Sequence, residues 1–125
     1  MNIRLDVRGD SRVAIIESEG VIVSDVQDAL DLMATVSYDT DGCNKLLIRK
    51  EAVNERFFEL KTKLAGDILQ KYVNYGVKLA IIGEYGGYDS KSLKDFIYES
   101  NQGKQVFFLP DEQAGLDALH GMQVK

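Results

Sequence analysis

The chain has no tryptophan, one proline, one cysteine and one histidine among 125 residues. A lone cysteine, Cys43, excludes an internal disulfide and any zinc site built on cysteine pairs, and it fits a reducing compartment. The single imidazole, His120, has no second histidine to help it hold a metal; its place in "ALHGMQVK" predicts a frayed tail with no general-base role. No apolar run approaches the roughly 20 residues that span a bilayer. The opening "MNIRLDVRGD" also lacks the apolar centre of a secretory signal, so the reading is a cytoplasmic protein with no membrane contact. Basic residues are outnumbered, 15 against 20 acids for a formal charge of -5, which disfavours a duplex-gripping surface and nucleic acid as a partner. The sequence holds no nucleophile elbow, metal motif or phosphate loop, so it indicates neither a catalytic residue nor a cofactor.

What remains is an ordinary globular composition. A hydrophobic share of 45% with 28% charged residues is too apolar for a disordered chain, and this length suits one domain that buries roughly two-thirds of its unfolded surface. No repeat, low-complexity tract or linker divides it, so residues 1–125 read as one domain.

The alternation at Ile3 to Val7 and Val13 to Glu17, with Gly9 and Asp10 between, predicts a hairpin. Ser24 and Gln27 have capping-box spacing, and Val26, Ala29, Leu30, Met33 and Ala34 then mark the buried face of a helix ending near Val36. The polar loop "SYDTDGC" leads to a short strand over Leu46 to Arg49. Leu64, Ala65, Ile68, Leu69, Tyr72 and Val73 form the longest helical stripe, closed by Gly76. "KLAIIG" (78–83) and "QVFFL" (105–109) have continuous apolar centres, as strands covered on both faces do. After Pro110, Asp111 caps a last helix carrying Ala114, Ala118 and Leu119. Strands separated by helices need crossovers, so the order predicts an α/β fold: one mixed, mostly parallel sheet with an N-terminal hairpin and flanking helices.

The densest polar stretch is "SKSLKDFIYESNQGKQVFFL", residues 90 to 109. Leu93, Phe96 and Ile97 give one helix face, Ser90 or Ser92 a cap, the latter with Asp95 three residues on, and Gly103 the stop. That reading leaves Ser90, Tyr98, Glu99, Ser100 and Asn101 without a role. Asp95 and Glu99, four apart, read as a solvated and mildly repulsive face.

With "VQDALDLMATV" and "LAGDILQKYVNYGVKLAIIGEY", the same stretch resembles an uncharacterised bacterial family, domain of unknown function 4180, from Ile3 to Leu119. The resemblance implies a small fold similar to that of sulphate-transporter and anti-sigma-factor-antagonist (STAS) domains. In those antagonists a serine at a helix start is phosphorylated by a partner kinase, and that helix end docks the partner. Laid on "KTKLAGDIL", the phosphorylated position falls near Thr62, although the usual Asp-Ser-Ser-Gly context is absent and Lys61 and Lys63 flank it. A helix start flanked by lysines favours a phosphate; the plain alternative is that Thr62 only caps.

In parallel sheets, binding gathers beyond the carboxyl ends of the strands. Those ends would bring Arg49, Lys50, Glu51 and Asn54 near Glu84, Tyr85, Gly86, Gly87 and Tyr88, with Pro110 and Asp111. The glycines of "GEYGGYDS" would let a backbone approach an anion before the helix begun by Ser90 or Ser92, or would simply turn. Tyr72, Tyr75, Tyr85, Tyr88 and Tyr98, with Phe57 and Phe58, offer material for a homodimer or partner face as well as for a core. Two readings follow. The first is a non-catalytic regulatory or protein-interaction module of the STAS kind, binding a regulatory protein around Thr62 and the strand ends. The second is a small-molecule or anion binder, or a weak enzyme, using Arg49, Lys50, Glu51, Glu84, Tyr85 and the Gly86–Gly87 loop. A structural or immunity-type interaction protein is not separable from the first by sequence.

Overall fold

The computed structural model describes residues 1–121. Five strands form one sheet in chain order: β1 (Asn2–Arg8), β2 (Ser11–Glu17), β3 (Lys45–Arg49), β4 (Lys78–Ile82) and β5 (Val106–Leu109). β1 and β2 are the antiparallel hairpin, and β2 through β5 run parallel. The fold class read from the sequence is therefore the observed one. Gly9, at φ +61, takes the first position of the two-residue hairpin loop, where a side chain would be strained.

Each parallel step goes to the next strand in the same direction, and a right-handed crossover then places every connecting helix on one face. These helices are α1 (Val26–Asp39), α2 (Leu64–Asn74) and α3 (Lys91–Gln102). Their buried side chains, from Ala29 and Met33 through Ile68 and Tyr72 to Leu93, join one cluster with Ile16, Leu46, Ile48, Leu79 and Ile81. The last helix, α4 (Glu112–Leu119), covers the other face, where Leu116 and Leu119 meet Val13, Ile15, Leu47, Ala80, Ile82 and Phe107. Successive β4 residues thus alternate between two cores, which is why "KLAII" is apolar without a polar break.

The helix boundaries show where local reading and the folded chain part. α1 is capped by Asp25, not Ser24: Asp25 accepts from the Asp28 N–H at 2.7 Å, and Asp28 reaches back to the Ser24 N–H at 3.0 Å. The reciprocal pattern sits one residue along because a carboxylate at a helix start accepts more strongly than a hydroxyl and is favoured by the helix dipole. α1 also runs past Val36 to Asp39, because Arg12 of β2 donates to the carbonyls of Thr40 (2.6 Å) and Asp41 (3.1 Å). α3 is capped by Ser90, which accepts from the Leu93 N–H at 3.1 Å; Ser92 lies inside the first turn, and Asp95 pairs with Lys91 at 2.8 Å. The α2 stripe is buried except at Leu64, half-buried, and Val73, 46% exposed, and Gly76 takes φ +67 behind it. Ala34 of the α1 stripe is exposed, and Leu32 takes its place in the core.

His120 departs furthest from expectation. Its side chain is 1% exposed, with Nε2 at 2.8 Å from Asp6 Oδ2 and Nδ1 at 2.7 Å from Ser11 Oγ, while Lys45 Nζ donates to the same Ser11 oxygen at 2.7 Å. Two further ion pairs, Arg4 to Glu112 (3.1 Å) and Arg8 to Asp117 (2.7 Å), bind α4 to β1. α4 and His120 are latched because β1 turns charged residues toward them, a partnership invisible in local sequence.

Candidate functional site

Register settles the rim: Arg49 is level with Ile82, and Ile82 with Leu109, so the carboxyl ends of β3, β4 and β5 lie side by side. Between β3 and α2 the chain makes three short 3₁₀ turns, Lys50–Ala52, Glu55–Phe58 and Leu60–Thr62. Asn54 starts the middle one by accepting from the Arg56 N–H at 2.9 Å. These turns carry Phe57 and Phe58 into the core and leave the polar residues between them at the surface.

Lys50 lies across Gly83, where an added Cβ would come 2.7 Å from the lysine Cβ. Its ammonium then sits 5.0 Å from the Tyr88 ring centre, 5.5 Å from that of Phe58 and 3.8 Å from Glu55 Oε1. The Tyr88 hydroxyl donates to Glu55 at 2.6 Å, and its ring stacks on Phe58 at 5.6 Å between centroids. Contact with the Tyr88 oxygen, reinforced by Glu55 and Glu51, holds the Lys50 proton more tightly than usual against the cost of desolvation. Tyr88 is raised in turn, mainly by desolvation. Tyr85 packs edge-on to Phe108 at 5.8 Å and donates to the Ile81 carbonyl at 2.8 Å; burial pushes its hydroxyl far above the ordinary tyrosine range.

A groove of about 500 Å³ runs beside this cluster, with Glu55, Phe58, Glu59 and Lys61 on one wall and Tyr88, Asp89, Ser90 and Ser92 on the other. Thr62 follows the wall residue Lys61 and does not itself line the groove. Its hydroxyl lies 2.8 Å from the Glu59 carbonyl and 3.0 Å from that of Arg56, and it accepts from the Leu64 N–H at 3.2 Å. The threonine thus ties down the turns that form one wall.

The residues read from sequence fall into three places. Lys50, Tyr85, Ser90 and Ser92 gather around the groove and the aromatic cluster beside it. Arg49 and Glu51 line a separate pocket of about 120 Å³ with Ser18 and Gly20. Glu84 folds back on its own loop, accepting from the Gly86 N–H at 2.7 Å, so that amide already holds a carboxylate; Gly87 is exposed beyond it. Glu55, Glu59 and Asp89 were not singled out by sequence reasoning, and Asn54, a turn former after a strand, was the available signal that the next residues stay at the surface. The tyrosines do not share one face: Tyr72 is 1% exposed and donates to the Ala29 carbonyl at 2.8 Å, whereas Tyr75 just past α2 and Tyr98 on α3 are open.

At the other end of the parallel strands, Asp6, His120 and Ser11 make a hydrogen-bonded chain reminiscent of a hydrolytic triad. The serine oxygen also accepts from Lys45, and the ring is closed under α4, so the group works as a tether. Among the described residues, no cluster of His, Cys, Asp and Glu could hold a metal ion, and no helix is long and apolar enough to cross a membrane.

No curated protein and no solved structure matches the chain. A family model does match, over residues 8–119: the chain belongs to the family described as domain of unknown function DUF4180.

Proposed function

We propose that the chain is a non-catalytic interaction module of the STAS kind, which binds a segment of a regulatory protein in the groove beside Phe58 and Tyr88 and uses Thr62 as its charge-sensitive element. The observation that carries this reading is the wiring of the groove. Lys50, Glu55 and Tyr88 satisfy one another, Ser90 is spent on the α3 cap and Glu84 on the Gly86 amide. Their polar groups hold a surface in shape, and the stacked rings give that surface an apolar floor. Glu55, Glu59 and Asp89 outweigh Lys61 on the walls, so the fitting segment carries an apolar side chain next to a lysine or arginine.

Thr62 supplies the switch. A phosphate on its oxygen removes the hydroxyl proton shared with the Glu59 and Arg56 carbonyls, leaves those carbonyls their backbone N–H partners alone, and adds negative charge beside Lys61 and Lys63. The test is site-specific photocrosslinking from position 61 in cells, with position 98 as control, followed by binding of the purified captured protein. We expect one protein captured from position 61 only, with affinity about tenfold weaker (about 1.4 kcal/mol) for Thr62→Glu and near unchanged for Thr62→Ser. Equal capture from both positions, or indifference to Thr62→Glu, removes the proposal.

One observation favours a second reading, a small-anion site. The Arg49 side chain, at the small pocket with Ser18, Gly20 and the acids Glu19 and Glu51, has no hydrogen bond or ion pair among the described residues. Titration with inorganic phosphate, read by amide shifts at Ser18 and Gly20 and abolished by Arg49→Gln, distinguishes it from the groove.

A further inference from the structure

The two edges of the sheet are treated differently. On β5, Asn101 of α3 reaches over and closes the edge: the Phe108 N–H donates to its Oδ1 at 2.7 Å, and its Nδ2 donates to the Phe108 carbonyl at 3.0 Å. A side-chain amide there stands in for a neighbouring strand. β1, the other edge, has seven residues, no proline and no bulge, and nothing among the described residues pairs with its outer side. Long edges left in this state are templates for another strand.

The hairpin geometry fixes which groups face outward. A two-residue loop closes on Arg8 and Ser11, and such a closing pair exchanges both backbone hydrogen bonds. Alternation then turns the N–H and C=O of Ile3, Leu5 and Val7 away from β2. Their side chains lie on the α1 face, with Leu5 45% and Val7 58% exposed. Arg4, Asp6 and Arg8 lie on the α4 face, as their ion pairs show.

We propose that β1 pairs antiparallel with β1 of a second copy of this chain about a twofold axis through Leu5, joining two sheets into one. The strand is complementary to itself in that register alone. Leu5 faces Leu5 and Ile3 faces Val7 on the apolar side, while Arg4 faces Asp6 on the charged side, so each copy sets opposite charges against the other. The outward N–H and C=O groups of Ile3, Leu5 and Val7 coincide with the hydrogen-bonding positions of the new ladder. A shift of one residue in either strand destroys all three matches: Arg4 then opposes leucine or valine positions, and the apolar side chains cross to the charged face. The interface is isologous and closes at two copies, leaving the sealed β5 edges at the ends. This inference stands apart from the groove and from Thr62.

Sedimentation equilibrium of the full chain and of Leu5→Lys tests it. We expect a dimer for the natural sequence and a dissociation constant raised at least about tenfold for Leu5→Lys, which sets two ammonium groups face to face on the axis while occupying a half-exposed position that the monomer tolerates. Leu5→Cys supplies an independent readout: paired Cα atoms lie about 5.5 Å apart in such a ladder, so oxidation links the copies through position 5, whereas Tyr98→Cys, 66% exposed on α3, does not link. A natural chain that is monomeric at roughly 100 μM, far above a ~1 μM dissociation constant, overturns the proposal. So does a dimer that survives Leu5→Lys, or a Leu5→Cys variant that links no better than Tyr98→Cys.

Discussion

Replacing Gly115 by alanine adds one methyl group where α4 lies on the sheet. That carbon would stand 2.7 Å from Leu47 Cδ1, 3.1 Å from Ile82 Cγ2 and 3.6 Å from Ala80 Cβ. Leu47 is 1% exposed and Ile82 3%, so neither can swing into solvent, and the helix must rise or the core must repack. Overpacking of this kind costs about 1–3 kcal/mol. Against it stands the better helix propensity of alanine, about 1 kcal/mol. We expect a net loss of up to about 2 kcal/mol, and a melting temperature lower by up to about 8 °C. Gly66 in α2 is the control: an added Cβ there meets nothing within 4 Å, so Gly66→Ala should stabilise by about 0.5–1 kcal/mol through propensity and unfolded-state entropy. Denaturant titrations followed by circular dichroism, compared at constant m-value, read both changes. If Gly115→Ala gains as much stability as Gly66→Ala, the close seating of α4 on Ala80 and Leu47 is refuted.

Two further outcomes follow from buried polar contacts. Asn101→Leu strands the outward N–H and C=O of Phe108 and should cost about 1–3 kcal/mol, with faster amide exchange at Phe108 than at Leu79 as the discriminating measurement. Burial raises the Tyr72 hydroxyl far above its ordinary value, so the folded chain keeps a proton that the unfolded chain releases near pH ~10. Its contribution is complete below that pH and declines as pH rises above it; Tyr72→Phe should cost about 1 kcal/mol at neutral pH and flatten the alkaline decline, seen as a smaller loss of stability between neutral and alkaline unfolding curves.

The segments legible without coordinates were those whose evidence is local. Alternation gave the hairpin, short continuous apolar runs gave β3 to β5 and period-3.6 stripes gave the helices, all in the right order, and Gly9, Gly76 and Asp111 marked turns and caps through conformational preferences that depend on a few adjacent residues. From that order, the handedness of crossovers led to the parallel sheet and to a rim joining residues near Arg49, Tyr85 and Pro110, and the register sets Arg49, Ile82 and Leu109 side by side beneath it. The groove was only half visible. Ser90, Ser92 and Lys50 could be placed near it, but Glu55 and Glu59 lie in 3₁₀ turns without an apolar period, where the backbone path follows the burial of Phe57 and Phe58 in a core formed by distant strands.

The amino-acid sequence alone therefore determined the element types, their order and the two-sided burial of the central strands, because each follows from periodicity and backbone preference within a short window. Only the folded chain decided the partners across long separations: Arg12 on the end of α1, Asn101 on the edge of β5, and His120 between Asp6 and Ser11. A charged or amide side chain can bond to many groups equally well, and the packing of the sheet and helices selects which one is within reach.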